Sequence, residues 1–137
     1  MSDAEPKFIK IRYAPGERGW AIDLGNNRAE IANLPAADLN TGDVVTLAKD
    51  EDGMYCVDKI VERRWPRKTK VSYSEPHQET YKQLCALFRK DRNWPMEGWL
   101  PGLCSVAHPE NADLVAIAAQ AGLKIGVEEM ALGEVTS

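Results

Sequence analysis

The stretch RRWPRKTKVSYSEP, residues 63–76, divides the chain. Before it, apolar and polar residues alternate, the period of a strand whose side chains point to opposite faces. After it, apolar residues recur at helical spacing. Within it, Arg63, Arg64, Arg67, Lys68 and Lys70 place five cations in eight residues around Trp65. Pro66 cannot donate to a ladder, so it marks a strand end, an edge or a bulge. Residues 68–73 then predict a strand. Ser74-Glu75-Pro76 predicts a helix start, with Ser74 as N-cap and Pro76 in the first turn, where a missing N–H costs little.

Upstream, alternation predicts strands at 7–13, 19–24, 28–32, 44–48 and 54–62. Turn signals separate them: Ala14-Pro15-Gly16-Glu17, Gly25-Asn26-Asn27 and the acidic run ending in Gly53. The second strand collects Trp20, Ile22 and Leu24 on one side, which predicts that side to be buried. Five short strands so closely punctuated predict a small antiparallel barrel or a strongly bent sheet.

Downstream, Tyr81, Leu84, Cys85 and Phe88 stand at i, i+3, i+4 and i+7, the stripe of a helix over 77–90. Residues 91–102, rich in Pro and Gly, predict a loop carrying Trp94 and Trp99. A short strand at 103–107 precedes a second helix start at His108-Pro109-Glu110-Asn111. Leu114, Ile117, Ala118 and Ala121 form that helix's stripe, Gly122 suits the position after it, and 124–129 alternates as a last strand. The expected class is α+β. A barrel-like half at 7–62 precedes a β-α-β-α-β half at 63–130, with two helices packed on a sheet. A disordered start at 1–6 and a flexible tail at 131–137 flank them.

The 137 residues carry a net charge of −4, which argues against nucleic-acid binding by the whole surface while leaving room for a local basic patch. The start lacks a basic segment followed by an apolar run, and no apolar stretch approaches the roughly 20 residues that span a bilayer. A cytoplasmic setting without membrane contact is expected. Cys56, Cys85 and Cys104, odd in number and widely spaced, fit reduced thiols there.

Trp20 opens a strand, a turn follows at Gly25, and then come Asn33-Leu34-Pro35, Gly42-Asp43-Val44-Val45 and the Asp52-Gly53 hairpin. Further along stand the Gly-rich loop before 103–107 and His108-Pro109 opening a helix. In this order of features the chain resembles the domain-of-unknown-function 4265 family of bacterial proteins. The resemblance runs from about Phe8 to Met130. It implies architecture and no activity.

No catalytic set is complete. Cys104 and His108 lie four positions apart on one strand, about 13 Å, too far to share a zinc ion. His77 and His108 are the imidazoles available to a cysteine nucleophile, and no Gly-x-Ser-x-Gly elbow or phosphate-binding glycine loop is present. No metal or cofactor is expected. Two surfaces remain. Trp94 and Trp99 on a loop predict a protein contact, because tryptophan concentrates at binding hot spots. Acidic turns in the first half suit a basic partner. Arg63, Arg64, Trp65, Arg67 and Lys68 predict a nucleic-acid contact, with guanidinium groups for phosphate and an indole for stacking. The leading expectation is a non-enzymatic binding or regulatory protein, like an inhibitor or immunity protein, acting through a protein partner. A nucleic-acid module and a small enzyme using the Cys104 thiol are the alternatives.

Overall fold

The computed structural model describes residues 5–136, so the expectation for residues 1–4 lies outside it. Contacts divide the chain into two units, one ending at Arg64 and resuming at Leu132, the other running from Trp65 to Ala131. The class is α+β, mostly sheet, with antiparallel pairing and two helices.

The first unit holds β1 (Phe8–Ala14), β2 (Glu17–Gly25), β3 (Arg28–Ile31), β4 (Val44–Lys49) and β5 (Tyr55–Glu62). Consecutive strands pair antiparallel, and β1 meets β5 through Arg12 and Cys56. Five is odd, so an up-and-down ring closes on a parallel pair. Asn26 and Asn27 both take positive φ (52° and 63°), as the tight β2–β3 turn requires.

Ile11, Tyr13, Ile31, Leu39, Val45, Leu47 and Ile60 fill the interior, with Ala21 and Ala29 between them. This inverts the expected facing of β2. The alternation is present, but Trp20 is 46% exposed and Leu24 49%, while Gly19 and Ala21 point inward. The Tyr13 ring is the reason. A Cβ on Gly19 would lie 2.2 Å from that ring, so only glycine fits beneath it. A ring this narrow needs small residues opposite its large ones.

Arg63, expected at a binding surface, is a structural residue of this unit. Its Nε and Nη2 donate to the two oxygens of fully buried Asp43 (3.0 and 2.9 Å), and Nη1 donates to the Gly133 carbonyl (2.7 Å). Residues 133–136, expected within a flexible tail at 131–137, pair here. Gly133 N–H donates to Asp38 O, Thr136 N–H donates to Ile60 O, and Val135 bridges to Ile60.

The second unit holds β6 (Arg67–Tyr73), α1 (His77–Cys85), β7 (Met96–Leu100), β8 (Leu103–His108), α2 (Leu114–Gln120) and β9 (Ile125–Glu129). The sheet order is β7-β8-β6-β9 and every neighbouring pair is antiparallel. This βαββαβ arrangement, a split-βαβ topology, corrects the expected β-α-β-α-β. The Trp94–Trp99 segment contains a strand, and no two strands in the sheet are parallel neighbours. Val71, Tyr73, Cys104, Val106, Met96 and Ile125 share a core with Leu84 and Phe88 on the first helical stretch and Leu114 and Ala118 on the second.

The expected helix over 77–90 is α1 followed by a π-helical turn at Ala86–Lys90. Arg92 Nη1 donates to Leu87 O there (2.7 Å), satisfying a carbonyl at the helix end. Ser74 is not the N-cap. Pro76 holds that position, without a side-chain cap. Asp113 caps α2, its carboxylate accepting from Ala116 N–H. No helix among the described residues is long and apolar enough to cross a membrane.

Candidate functional site

Alternation along β6 scatters the basic run. Arg67 lies on one face of the sheet, where its guanidinium meets Glu129 and Glu110. Lys68 lies on the other face and has 0% of its surface exposed, so it is no surface cation. Lys70 pairs with Glu128 at 3.2 Å. Arg64 is exposed, and Trp65 packs half-buried against the second unit's core. With Arg63 committed to Asp43 and Lys68 buried, two of the five cations of the run are not surface cations, whereas Arg64, Arg67 and Lys70 reach the surface.

Trp94 and Trp99 separate as well. Trp94 is core, 8% exposed, stacked on Phe88 at 5.8 Å and tilted against His108 at 5.9 Å. It is not a contact residue, because the chain turns there to bring β7 back onto the sheet. Trp99 is half-buried and lines a cleft of about 370 Å³ with Tyr73, His77, Tyr81, Leu100 and Pro101.

The cleft follows from three elements. β6 ends on Tyr73, whose ring faces the helices. α1 starts four residues later and lays His77 edge-on to Tyr73 (5.9 Å) and Tyr81 stacked on it (6.2 Å). His77 and Tyr81 share one side of α1 because i and i+4 do. The β7–β8 turn closes against them. Tyr73 N–H donates to Gly102 O, and Gly102 (φ 87°) leaves no room for a side chain, since a Cβ would lie 3.0 Å from His77 Nε2. Gly98 brings β7 beneath the Tyr81 ring, 3.4 Å from where its Cβ would be. Burial, then the neighbouring Cys85, pushes the Tyr81 phenol up to about 12, so it stays a protonated donor.

β7 ends the sheet, and among the described residues no strand pairs with its outer side. Antiparallel pairing alternates which residues face the partner. Pro95 O accepts from Ala107 N–H on β8, whereas Met96 O accepts from the Arg89 side chain. Gly98 falls in register with Met96, so its backbone groups point away from β8. The other edge, β9, carries Gly126, Glu128 and Glu129, a charged strand of the sort that discourages pairing.

A second cavity, about 490 Å³, is lined in part by Arg67, Thr69, His108, Glu110 and Glu129. His108 Nδ1 lies 2.8 Å from Pro109 O and so carries the hydrogen. Nε2 then accepts from the Thr69 hydroxyl at 2.7 Å. Burial lowers the His108 pKa. The cation of this cavity is matched by carboxylates and its imidazole is held by two partners, which suits a stabilising network. Cys104 is buried, and burial followed by Cys85 pushes its thiol up to about 12, the opposite of what a nucleophile needs.

Sequence reasoning missed Tyr73 and Tyr81 as site residues and weighed His77 only as a base for a cysteine nucleophile. Tyr81 was legible only as part of an apolar stripe, and the cleft depends on β7, whose Pro and Gly content reads as loop.

No family model and no curated protein sequence matches the chain. A solved structure, described as that of a hypothetical protein from Neisseria gonorrhoeae, is similar over 97% of this chain and 99% of its own. The TM-score is 0.57 and the identity 13%, a likeness of fold.

Proposed function

We propose that the protein is a non-enzymatic binding module that takes an extended apolar segment of a partner protein between α1 and β7. The carrying observation is an aromatic cleft set directly beside an unpaired sheet edge. A segment added to β7 gains main-chain hydrogen bonds from the edge, and the cleft accepts alternate side chains, as strand addition requires. Tyr73, Tyr81 and Trp99 offer rigid apolar area at low entropic cost, and the Tyr81 hydroxyl and His77 supply polar direction. Leu100, 66% exposed at the mouth, is apolar surface that a partner would cover.

The ring of β1–β5 is read in the same proposal as a small barrel. A cytoplasmic setting with reduced thiols and kinship with the domain-of-unknown-function 4265 family belong to the proposal too.

Panning a displayed random-peptide library against the immobilised protein tests it. The expected result is enrichment of peptides with apolar or aromatic residues at alternate positions, lost when Trp99→Ala replaces the wild type. Failure to enrich, or enrichment indifferent to Trp99→Ala and Tyr81→Ala, sinks the reading.

A further inference from the structure

The outward side of β2 is the least expected feature of the first unit. Small residues face the interior, so Trp20, Ile22 and Leu24 are left outside, and no demand of the core explains them. The β1–β2 register places Phe8 opposite Ile22, Lys10 opposite Trp20, and Arg12 opposite Arg18. All six point outward, since even-numbered residues of both strands share that face. The patch is therefore graded. One end is apolar and aromatic, with Phe8 54% and Trp20 46% exposed. The other end is cationic. Lys10 joins the two, its Nζ 4.7 Å from the Trp20 ring centroid. The carboxylates nearby are Asp50, which pairs with Arg12, and Glu30, which stands opposite Ile22 on β3. Lys10 and Arg18 remain as exposed cations on the face.

Beside the indole lies a cavity of about 460 Å³ lined by Phe8, Trp20, Ala32 and Asn33. Asn33 is oriented. Its Oδ1 accepts from Trp20 N–H (2.8 Å), which leaves the amide NH2 to donate, while the Tyr13 hydroxyl nearby gives its one hydrogen to Trp20 O (2.5 Å). Aromatic walls, an oriented amide donor and cations along one side form a combination with a specific chemical match. A nucleobase has two π-faces and acceptor atoms on its edge, and its strand carries phosphates at regular intervals.

We propose that this face binds single-stranded nucleic acid. A base lies against Trp20 and Phe8, the Asn33 amide donates to its edge, and Lys10 and Arg18 hold the flanking phosphates. The site is separate from the α1–β7 cleft and uses none of the cations of residues 63–70. A protein as acidic as this one gains strand affinity only from such a local field, so binding is salt-sensitive and modest.

The test is fluorescence anisotropy with labelled oligouridine and oligothymidine of about 12 nucleotides, within the footprint of small single-strand binders. Two phosphate contacts predict a slope of about −1.4 in log affinity against log salt. Trp20→Ala is expected to weaken binding by about 5- to 150-fold, the range for loss of one stacked base. Lys10→Glu with Arg18→Glu abolishes the salt slope, and Asn33→Asp weakens binding without moving it. Trp99→Ala, in the other unit, leaves the oligonucleotide affinity unchanged. The tighter of the two oligomers identifies the natural strand as RNA or DNA. All four altered side chains of this face are exposed or half-buried, and circular dichroism checks that each variant folds. The proposal is overturned if the wild type binds neither oligomer at low salt. It is also overturned if Trp20→Ala binds as the wild type does, or if the face retains phosphatidylserine vesicles but no oligonucleotide.

Discussion

Asp43 is fully buried and takes both forks of Arg63, and the third guanidinium nitrogen reaches the chain's end at Gly133. Removing the arginine strands a carboxylate in the interior. Arg63→Ala should therefore cost about 3–5 kcal/mol in chemical denaturation, and Arg63→Lys should recover only part, because an ammonium cannot match the fork. Oligonucleotide affinity lost through Arg63→Ala in a protein of unchanged stability would instead restore a surface role. His108 makes a second residue-scale prediction. Burial holds its pKa below the ordinary value of 6.5, against the opposing pull of the Pro109 carbonyl. As pH falls through about 6.5 the unfolded chain takes up the proton first. Stability is thus full above that value and declines below it until the folded-state pKa is reached. The urea midpoint should drop between about pH 7.5 and pH 5.5, and His108→Gln should flatten that decline. An unchanged slope in the variant would assign the decline elsewhere. Gly19 completes this scale. Gly19→Ala drives a methyl group into the Tyr13 ring, and an overpacking cost of about 1–3 kcal/mol is expected from thermal unfolding.

Alternation and the turn residues between strands located β1–β6 and β9 to within a few residues, while β8, an apolar run buried along almost its whole length, was found as a short strand without alternation. What alternation leaves open is which face is inner. In β2 the large residues are outside and the small ones inside, and only the reach of Tyr13 across Gly19 decides that. β7 was illegible for a different reason. Pro95 and Gly98 are turn signals locally, yet Gly98 lies within the strand beneath Tyr81, and the pairing that makes β7 a strand is supplied by β8. Trp94 and Trp99 shared a loop on paper and separate across a strand start, one into the core and one into the cleft. Alternation along β6 puts Arg67 and Lys68 on opposite faces of the sheet, and burial removes Lys68 from the surface. At this scale α2 offers a clean check. Asp113→Ala removes the cap on Ala116 N–H and should cost about 1 kcal/mol, with hydrogen exchange accelerating first at the start of the helix.

The whole chain is two units built on different plans. The first is a closed ring that leaves an aromatic and cationic face outside. The second is a split-βαβ sheet with one charged edge and one edge open beside a cleft. The chain leaves the ring at Arg64 and returns to it at Leu132, so the last described residues belong to the ring. Truncation after Ala131 should lower the stability of the first unit while leaving exchange protection in β6 and β8 unchanged, since Gly133 bonds to Asp38 and Arg63 and Thr136 to Ile60, all within the first unit. We propose β7 as the receiving edge for a partner segment. The most direct test is an amide-resolved NMR titration of the full chain with a peptide selected for binding. Binding at β7 predicts shift changes at Tyr81, Gly98, Trp99 and Leu100, with slowed exchange of the Gly98 amide and no change along β9. Perturbation centred on β9 or on the β1–β2 face, with Gly98 and Trp99 unmoved, would contradict it.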